Sequence, residues 1–412
     1  MINMPPPEKL IGIIGKTNVG KSTLFAALTL APVAIANHPF TTIKPNIGVG
    51  YVRKKCVHVE LGLEKCDPRT GMCIKGNRFI PVKIMDVAGL IPGASQGRGL
   101  GNKFMDDLRQ ADILIHVVDA SGSTGPDGTP AKPGTYDPVE EAKLIQKEVD
   151  EWFVSVVRRV WENKISRQIY LVNNPIEYIT QNLSGLSINK NHVIEAIRLA
   201  GLEDKHPKKW SSDDIREFAL MLRRVSKPIL IAANKADLPT AEDNIKRLIK
   251  EFGKENVVPV SALAEYILRK AAQKGLIEYL PGDNDFKIID SSRLSKEQLH
   301  ALELVRRKML AKYGSTGVQE LLNKAVFNVL KLIVVYPVED HNKYTDHYGN
   351  ILPDAYLVPE GTTAKELAYM IHTDLGKTFL YAINAKTKEK VGETYVLRDN
   401  DVIKIVAAAA RR

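Results

Sequence analysis

Eight residues near the N-terminus carry the first recognisable chemistry: Gly15-Lys16-Thr17-Asn18-Val19-Gly20-Lys21-Ser22. They fit the spacing G-x-x-x-x-G-K-[ST], which suits a chain of phosphates. Gly15 and Gly20 let the backbone curl until several N–H groups aim at one anion. Lys21 supplies a point charge for the β- and γ-phosphates, and Ser22 offers a hydroxyl to Mg²⁺. Lys16, Thr17, Asn18, Val19 and Thr23 complete the cradle. This much implies a nucleoside triphosphate and leaves the base open.

Further stretches follow in an order that narrows the ligand. Thr41-Thr42 lies in an irregular segment where a hydroxyl could reach Mg²⁺ when a γ-phosphate is present. Asp86 closes an apolar run and is placed to hold the metal's water shell, and Gly89 has an N–H for the γ-phosphate. Asn234-Lys235-Ala236-Asp237 comes later. An aspartate there can accept two hydrogen bonds from guanine, at the ring N–H and the exocyclic amine. Adenine lacks that pair, so Asp237 selects the base. Ser261-Ala262-Leu263 completes the nucleotide-binding set. Two switch-like segments and an intact guanine tetrad disfavour a small-molecule kinase.

The elements that must position these residues are readable from pattern. Leu10–Ile14, Ile47–Val52, Phe79–Met85, Ile113–Val118, Pro228–Ala233 and Val257–Val260 are short apolar runs suited to strands, and Ser22–Leu30 begins a helix whose N-terminus favours an anion. Strands alternating with helices imply a mainly parallel α/β sheet, with the ligand beyond the strands' carboxyl ends. Residues 31–45, with prolines and no sustained period, and 121–136, rich in Gly, Pro and Thr, read as loops. Asp137-Pro138-Val139-Glu140 opens a helix with a cap and Pro at its first position. Along it Val149, Trp152, Phe153, Val156, Val157, Val160 and Trp161 share one face, read as core rather than a ligand groove. Helices are also expected over Asn191–Ala200 and Asp213–Val225. Residues 281–290 form a linker, and Ser295 opens a helix. From Leu330 the order becomes ββαββ, with a turn at Tyr348-Gly349-Asn350 and a helix from Thr363 to Asp374 that Gly376 would close. The expected organisation is residues 1–137 with 228–280 as the nucleotide domain, 138–227 as an inserted helical subdomain, 281–329 as a helical linker and 330–412 as a small grasp-like domain.

Composition sets bounds. The chain has 412 residues, a formal net charge of +10 and a pI near 9.2. No apolar run reaches the roughly 18 residues of a membrane span, and Met1–Pro7 does not resemble a signal peptide, so a cytoplasmic protein without membrane or DNA partners is expected. The positive balance suits a polyanion such as RNA, and equally a basic surface that only aids solubility. Three cysteines, Cys56, Cys66 and Cys73, argue against a disulfide framework. Cys66 and Cys73 flank a turn-rich stretch read as a hairpin tip, and His58 is the only histidine near them in sequence. Free thiols, one disulfide and a metal site all remain open.

The run Asp86-Val87-Ala88-Gly89-Leu90-Ile91-Pro92-Gly93-Ala94, with Gly97, Gly99, Leu100 and Gly101, resembles the Obg-related GTPases, within them the YchF-like branch. Pro39-Phe40-Thr41-Thr42 and Asn46 resemble that family's first switch. Tyr348-Gly349, Pro359-Glu360-Gly361-Thr362-Thr363 and Ile371-His372 resemble a TGS domain. The resemblance implies a P-loop GTPase domain with a helical insert and a C-terminal TGS-like β-grasp domain. It implies GTP and Mg²⁺ as ligands, Thr42 as the magnesium-sensing threonine, and the ribosome or structured RNA as partner. Arg158, Arg159, Arg306, Arg307 and Lys308 are candidate phosphate contacts, with solvated helix faces as the favoured alternative reading.

Two departures matter. Many GTPases place Gln where Leu90 stands, and an apolar side chain cannot orient the attacking water. Slow intrinsic turnover follows, with help from a partner, from His38, or from K⁺, because related GTPases with Asn at the position of Asn18 resemble potassium-activated enzymes. Many YchF-like proteins also resemble ATPases, their last motif not being Asn-Lys-x-Asp; here the tetrad is intact, which favours GTP. An ATPase of the same fold with a stress or redox role, and a nucleotide-gated RNA-binding protein with negligible turnover, are the alternatives.

Overall fold

The computed structural model describes residues 9–30, 46–87 and 107–408. A seven-stranded sheet forms the nucleotide-binding half. Its strands are β1 (Leu10–Ile14), β2 (Ile47–Lys55), β3 (Met72–Ile74), β4 (Asn77–Asp86), β5 (Ile113–Asp119), β6 (Ile229–Asn234) and β7 (Val257–Pro259). The spatial order is β2-β4-β1-β5-β6-β7, with β3 paired to β4. β2 and β3 run antiparallel to β4; the other pairings are parallel. β1 and β5 are buried along their whole length, as continuous apolar strands covered on both faces must be. Their parallel register brings Ile14, Asp86, Asp119 and Asn234 to one edge.

Helix α1 (Lys21–Thr29) follows β1. A short turn of helix, α2 (Val57–Glu60), follows β2. The insert opens with α3 (Pro138–Val160), capped by the Asp137 carboxylate accepting from the Val139 N–H, with Pro138 at the first position. A π-turn over Trp161–Ile165 extends it. The aromatic stripe is core: Trp161 stacks on Trp210 with centroids 4.9 Å apart, and Phe218 lies against both. This core is continuous with Leu10, Ile14 and Leu114 of the sheet. Helices α4 (Pro175–Leu183), α5 (Lys190–Leu199) and α6 (Ser212–Ser226) complete the insert. The last opens on Ser211, one residue earlier than expected, because Ser211 and Asp214 form a reciprocal capping box. α4 escaped the periodicity reading, although Asn174 caps it and Pro175 begins it.

After β6 come α7 (Ala241–Phe252) and α8 (Ala262–Gln273). Residues 281–290 are not a bare linker: β8 (Ile277–Glu278) pairs with β9 (Lys287–Ile288). Then follow α9 (Lys296–Val305), opened by Ser295, and α10 (Val318–Asn323). Asn323 and Gln319 bond the backbone of Arg53 and Tyr51, which covers the exposed edge of β2.

The C-terminal sheet has the order β11-β10-β14-β12-β13, from β10 (Leu332–Pro337), β11 (Tyr356–Pro359), β12 (Phe379–Asn384), β13 (Lys390–Val391) and β14 (Asp401–Ala407). Leu332, Val334 and Tyr336 pack into a core that also holds Ile80, Val82 and Ile113, so the two sheets are joined through apolar contact. The helix expected to run to Asp374 is broken: α11 (Ala364–Ile371) stops at an extended His372, whose ring caps α12 (Thr373–Lys377). Gly376 lies inside α12 and does not close it. A Cβ there would meet the Tyr369 ring at 2.2 Å, so close packing rather than a cap requires glycine.

Candidate nucleotide site

Gly20 has φ +101°, and a Cβ on it would sit 2.3 Å from Asn234 Nδ2; Gly15, at φ +143°, would meet the Val117 carbonyl at 2.5 Å. Both positions exclude a side chain, which is why the loop can hug the strand ends. The Lys21 ammonium donates to the Lys16 carbonyl at 2.6 Å, at the mouth of the loop. Ser22 Oγ donates to Asp86 Oδ2 at 3.3 Å. The expected phosphate and metal residues therefore converge from β1, α1 and β4. Burial holds Lys21 below the ordinary lysine range, with Asp86 working against it. Burial likewise raises the Asp86 carboxyl, opposed by Lys21 and Ser22.

The Asn-Lys-Ala-Asp tetrad, residues 234–237, has two structural members and one open one. Asn234, 3% exposed, donates through Nδ2 to the Val19 carbonyl at 2.8 Å and accepts the Ala262 N–H through Oδ1 at 3.0 Å. It thus staples the phosphate loop to the Ser261–Leu263 segment. Lys235, at φ +61°, reaches Asp119 Oδ2 at 2.8 Å and Thr124 Oγ1 at 3.0 Å. Asp237 is half-buried, and among the described residues its carboxylate has no hydrogen-bond partner. Ser261 caps α8 through the Ala264 N–H, and the Leu263 side chain is exposed.

Asp119 and the loop after it went unrecognised as site elements. Asp119 is 1% exposed and accepts from Ser121, Ser123, Thr124 and Lys235. Burial opposes its charge, yet the bonds from Lys235, Ser121 and Thr124 hold its carboxyl below the usual range. Residues 121–136 fold over the phosphate loop: Lys16 Nζ bonds the Thr124 carbonyl at 2.6 Å, Thr17 Oγ1 the Asp127 carbonyl at 3.1 Å, and Asn18 Nδ2 the Gly128 carbonyl at 2.8 Å. The available signal was Asp119 at a strand end followed by Ser121 and Ser123. A Gly- and Pro-rich composition masks it as an ordinary loop.

Glu141 on α3 pairs with Lys16. Burial pushes its carboxyl up to about 7, with Lys16 acting in the opposite direction. The folded chain holds this proton more tightly than the unfolded one, so the linked stability is complete below about 4.5 and is lost as pH rises through about 7. The loss is bounded at about 3–4 kcal/mol, at about 1.4 kcal/mol per unit. Glu141→Gln should flatten this part of the profile of Tm against pH. Profiles of wild type and variant that stay parallel across the window would count against it.

Thr42, Gly89, Leu90 and His38, with the flanking switch motifs, lie outside the described residues. The candidate phosphate contacts are scattered: Arg158 and Arg159 end α3, whereas Arg306 is engaged by Asp285 at 2.8 Å and stacks on Phe286. Among the described residues no helix is long and apolar enough to cross a membrane.

Residues 10–159 match the 50S ribosome-binding GTPase family, residues 232–340 the G4 motif-containing domain of YGR210-like Obg-like GTPases, and residues 348–407 the TGS domain. An uncharacterized GTP-binding protein of Methanocaldococcus jannaschii is 50% identical over 97% of this chain and 99% of its own. The ribosome-binding ATPase YchF of Bacillus subtilis is 26% identical over 95% of this chain and 97% of its own. The crystal structure of a GTP-binding protein from Pyrococcus horikoshii is 42% identical, covers 97% of this chain and 99% of its own, and superposes with a TM-score of 0.77. The chain, with its phosphate loop, Asn-Lys-x-Asp tetrad and terminal β-grasp sheet, belongs to the Obg-related P-loop GTPases of the YchF-like branch and carries a TGS domain.

Proposed function

We propose that the chain is a guanine-selective, Mg²⁺-dependent GTP-hydrolysing switch whose nucleotide state is read by the ribosome or by structured RNA. The open Asp237 carboxylate carries this reading. It stands in the site beside an Asn234 and a Lys235 already committed to holding loops together. An ATPase of the same fold would have little use for such a group. The hydroxyl of Ser22 and carboxylate of Asp86 are hard oxygen donors side by side, a set that suits Mg²⁺. They would hold it with Thr42; when bound, it neutralises phosphate charge. Lys21 binds the β- and γ-phosphates, and the Gly89 N–H is assigned to the γ-phosphate. Gly15–Thr23 encloses the phosphates and Ser261–Leu263 the base.

Leu90 implies slow intrinsic turnover, and Asn18 offers one route to help. Its Nδ2 is held by the Gly128 carbonyl, which leaves Oδ1 as the group to meet a K⁺ ion. Turnover should be several-fold faster in K⁺ than in Na⁺, and Asn18→Ala should erase that difference while leaving most GTP affinity. Equal rates in both salts for the wild type would refute the potassium role.

The macromolecular partner is inferred from charge and from the TGS surface. Tyr348 is 76% exposed at its turn, with the His347 ring 3.8 Å away, an aromatic pair on which an unpaired base can stack. The net charge of +10 agrees with a polyanion. The relative from Bacillus subtilis is named for ribosome binding. Cosedimentation with ribosomal subunits should be salt-sensitive and should differ between GTP- and GDP-loaded protein. No association at low salt in either state would contradict the assignment.

A further inference from the structure

We propose that Cys56, His58, Cys66 and Cys73 form a zinc site that fastens the TGS domain to the nucleotide-binding domain. The four residues come from three separate places. Cys56 and His58 lie where β2 runs into α2, Cys66 lies in the following loop, and Cys73 lies on β3. Their ligand atoms all fall within 4.8 Å of one another. Cys56 Sγ and Cys66 Sγ are 3.7 Å apart, and Cys73 Sγ is 3.6 Å from His58 Nδ1. A tetrahedron with Zn–S bonds of about 2.3 Å and a Zn–N bond of about 2.0 Å has S···S edges of about 3.8 Å and S···N edges of about 3.5 Å. These two edges match those of a coordination shell, and all four ligand atoms lie close enough to close on one ion. The Cys56–Cys66 separation is too wide for a disulfide, whose sulfurs approach to about 2.05 Å, and all three cysteines are free.

The hairpin expected from sequence is corrected here. The β3–β4 turn is at Lys75-Gly76, and Asp67–Gly71 is a different loop that leaves the sheet. That loop lies on the TGS domain. Asp67 N–H donates to the Ile351 carbonyl at 2.8 Å, Arg69 N–H to the Pro353 carbonyl at 2.8 Å, and Ile351 N–H returns to Asp67 Oδ2 at 3.2 Å. A segment this polar has little apolar surface with which to fix itself, and a metal at Cys66 and Cys73 closes it at both ends.

Arg78 supplies an independent observation. Its guanidinium is fully buried, and among the described residues no carboxylate pairs with it. Nη1 lies 3.5 Å from Cys66 Sγ and 3.1 Å from the Leu352 carbonyl, and Nη2 donates to the Pro353 carbonyl at 2.9 Å. A buried cation without a counter-charge is costly. Three thiolates and a neutral imidazole around Zn²⁺ leave one net negative charge beside it. The same guanidinium would then join the metal centre to the TGS backbone. Cys56 and His58 are buried and Cys66 and Cys73 half-buried; three soft sulfur donors and one imidazole, filling all four tetrahedral positions, select Zn²⁺ over Mg²⁺ and suit a structural rather than a catalytic ion. Binding releases the three thiol protons to solvent.

The test uses the full chain, expressed with zinc in the medium and purified under reductant. Elemental analysis should find about one zinc per chain. Cys73→Ser and His58→Ala should each lower that content at least about tenfold. Because these variants could misfold, the wild type is also stripped with a chelator and reloaded with Co²⁺. It should then show the visible absorption of tetrahedral cobalt thiolate, abolished by one equivalent of Zn²⁺. Stripping should speed tryptic cleavage after Lys65 and Arg69, and zinc should restore resistance. A folded chain that carries no zinc and gives no cobalt–thiolate spectrum would overturn the proposal. So would a Cys56–Cys66 disulfide in protein prepared under reductant.

Discussion

Asp237→Asn is expected to weaken GTP binding by about 10²–10⁴-fold and to leave ATP binding unchanged. The range comes from two hydrogen bonds to a charged group at about 1.5–3 kcal/mol each, with tenfold per 1.4 kcal/mol. The variant touches nothing else: Asp237 has no partner among the described residues, so its removal breaks no internal bond. The fold should be intact and Tm within a degree or two of wild type, since surface changes away from packed features are usually worth under about 0.5 kcal/mol. Titration of fluorescent guanine and adenine nucleotides reads both affinities. A uniform loss for both bases would place Asp237 outside base recognition.

Asn234→Ala should act in the opposite manner, lowering stability and the affinity for both nucleotides together. Its amide joins the Val19 carbonyl to the Ala262 N–H in a site almost closed to solvent. Truncation leaves a buried donor and a buried acceptor unpaired, at about 1–3 kcal/mol each. It also releases the phosphate loop from the Ser261–Leu263 segment. Tm should fall by roughly 5 °C or more, and GTP and ATP affinity should drop by similar factors. A stable variant that loses only GTP would mean that Asn234 reads the base rather than positioning the loop that does. The two variants thus separate recognition from scaffolding within one tetrad.

The parts of the site that depend on local spacing were readable in the sequence. Gly15, Gly20, Lys21 and Ser22 stand at intervals that suit a chain of phosphates, and Asp86 and Asn234 end largely apolar runs that form strands. The parts that depend on distant contacts were not. Residues 121–136 carry no periodicity, and their role appears only when Gly128, 110 positions from Asn18, meets it. Gly376 was misread because glycine after a helical run signals a cap, whereas its reason is the Tyr369 ring across a turn. The cysteines were left undecided because Cys-x-His and Cys-x₆-Cys spacings have no standard reading. Three chain segments had to fold before four ligands shared one centre.

Competition between GTP and ATP for a fluorescent guanine nucleotide on the full chain, with Mg²⁺ present, tests the central claim most directly. The account predicts that GTP displaces the probe at concentrations at least about a hundredfold lower than ATP. ATP displacing it as well as GTP, or better, would contradict the assignment of Asp237 as the base selector.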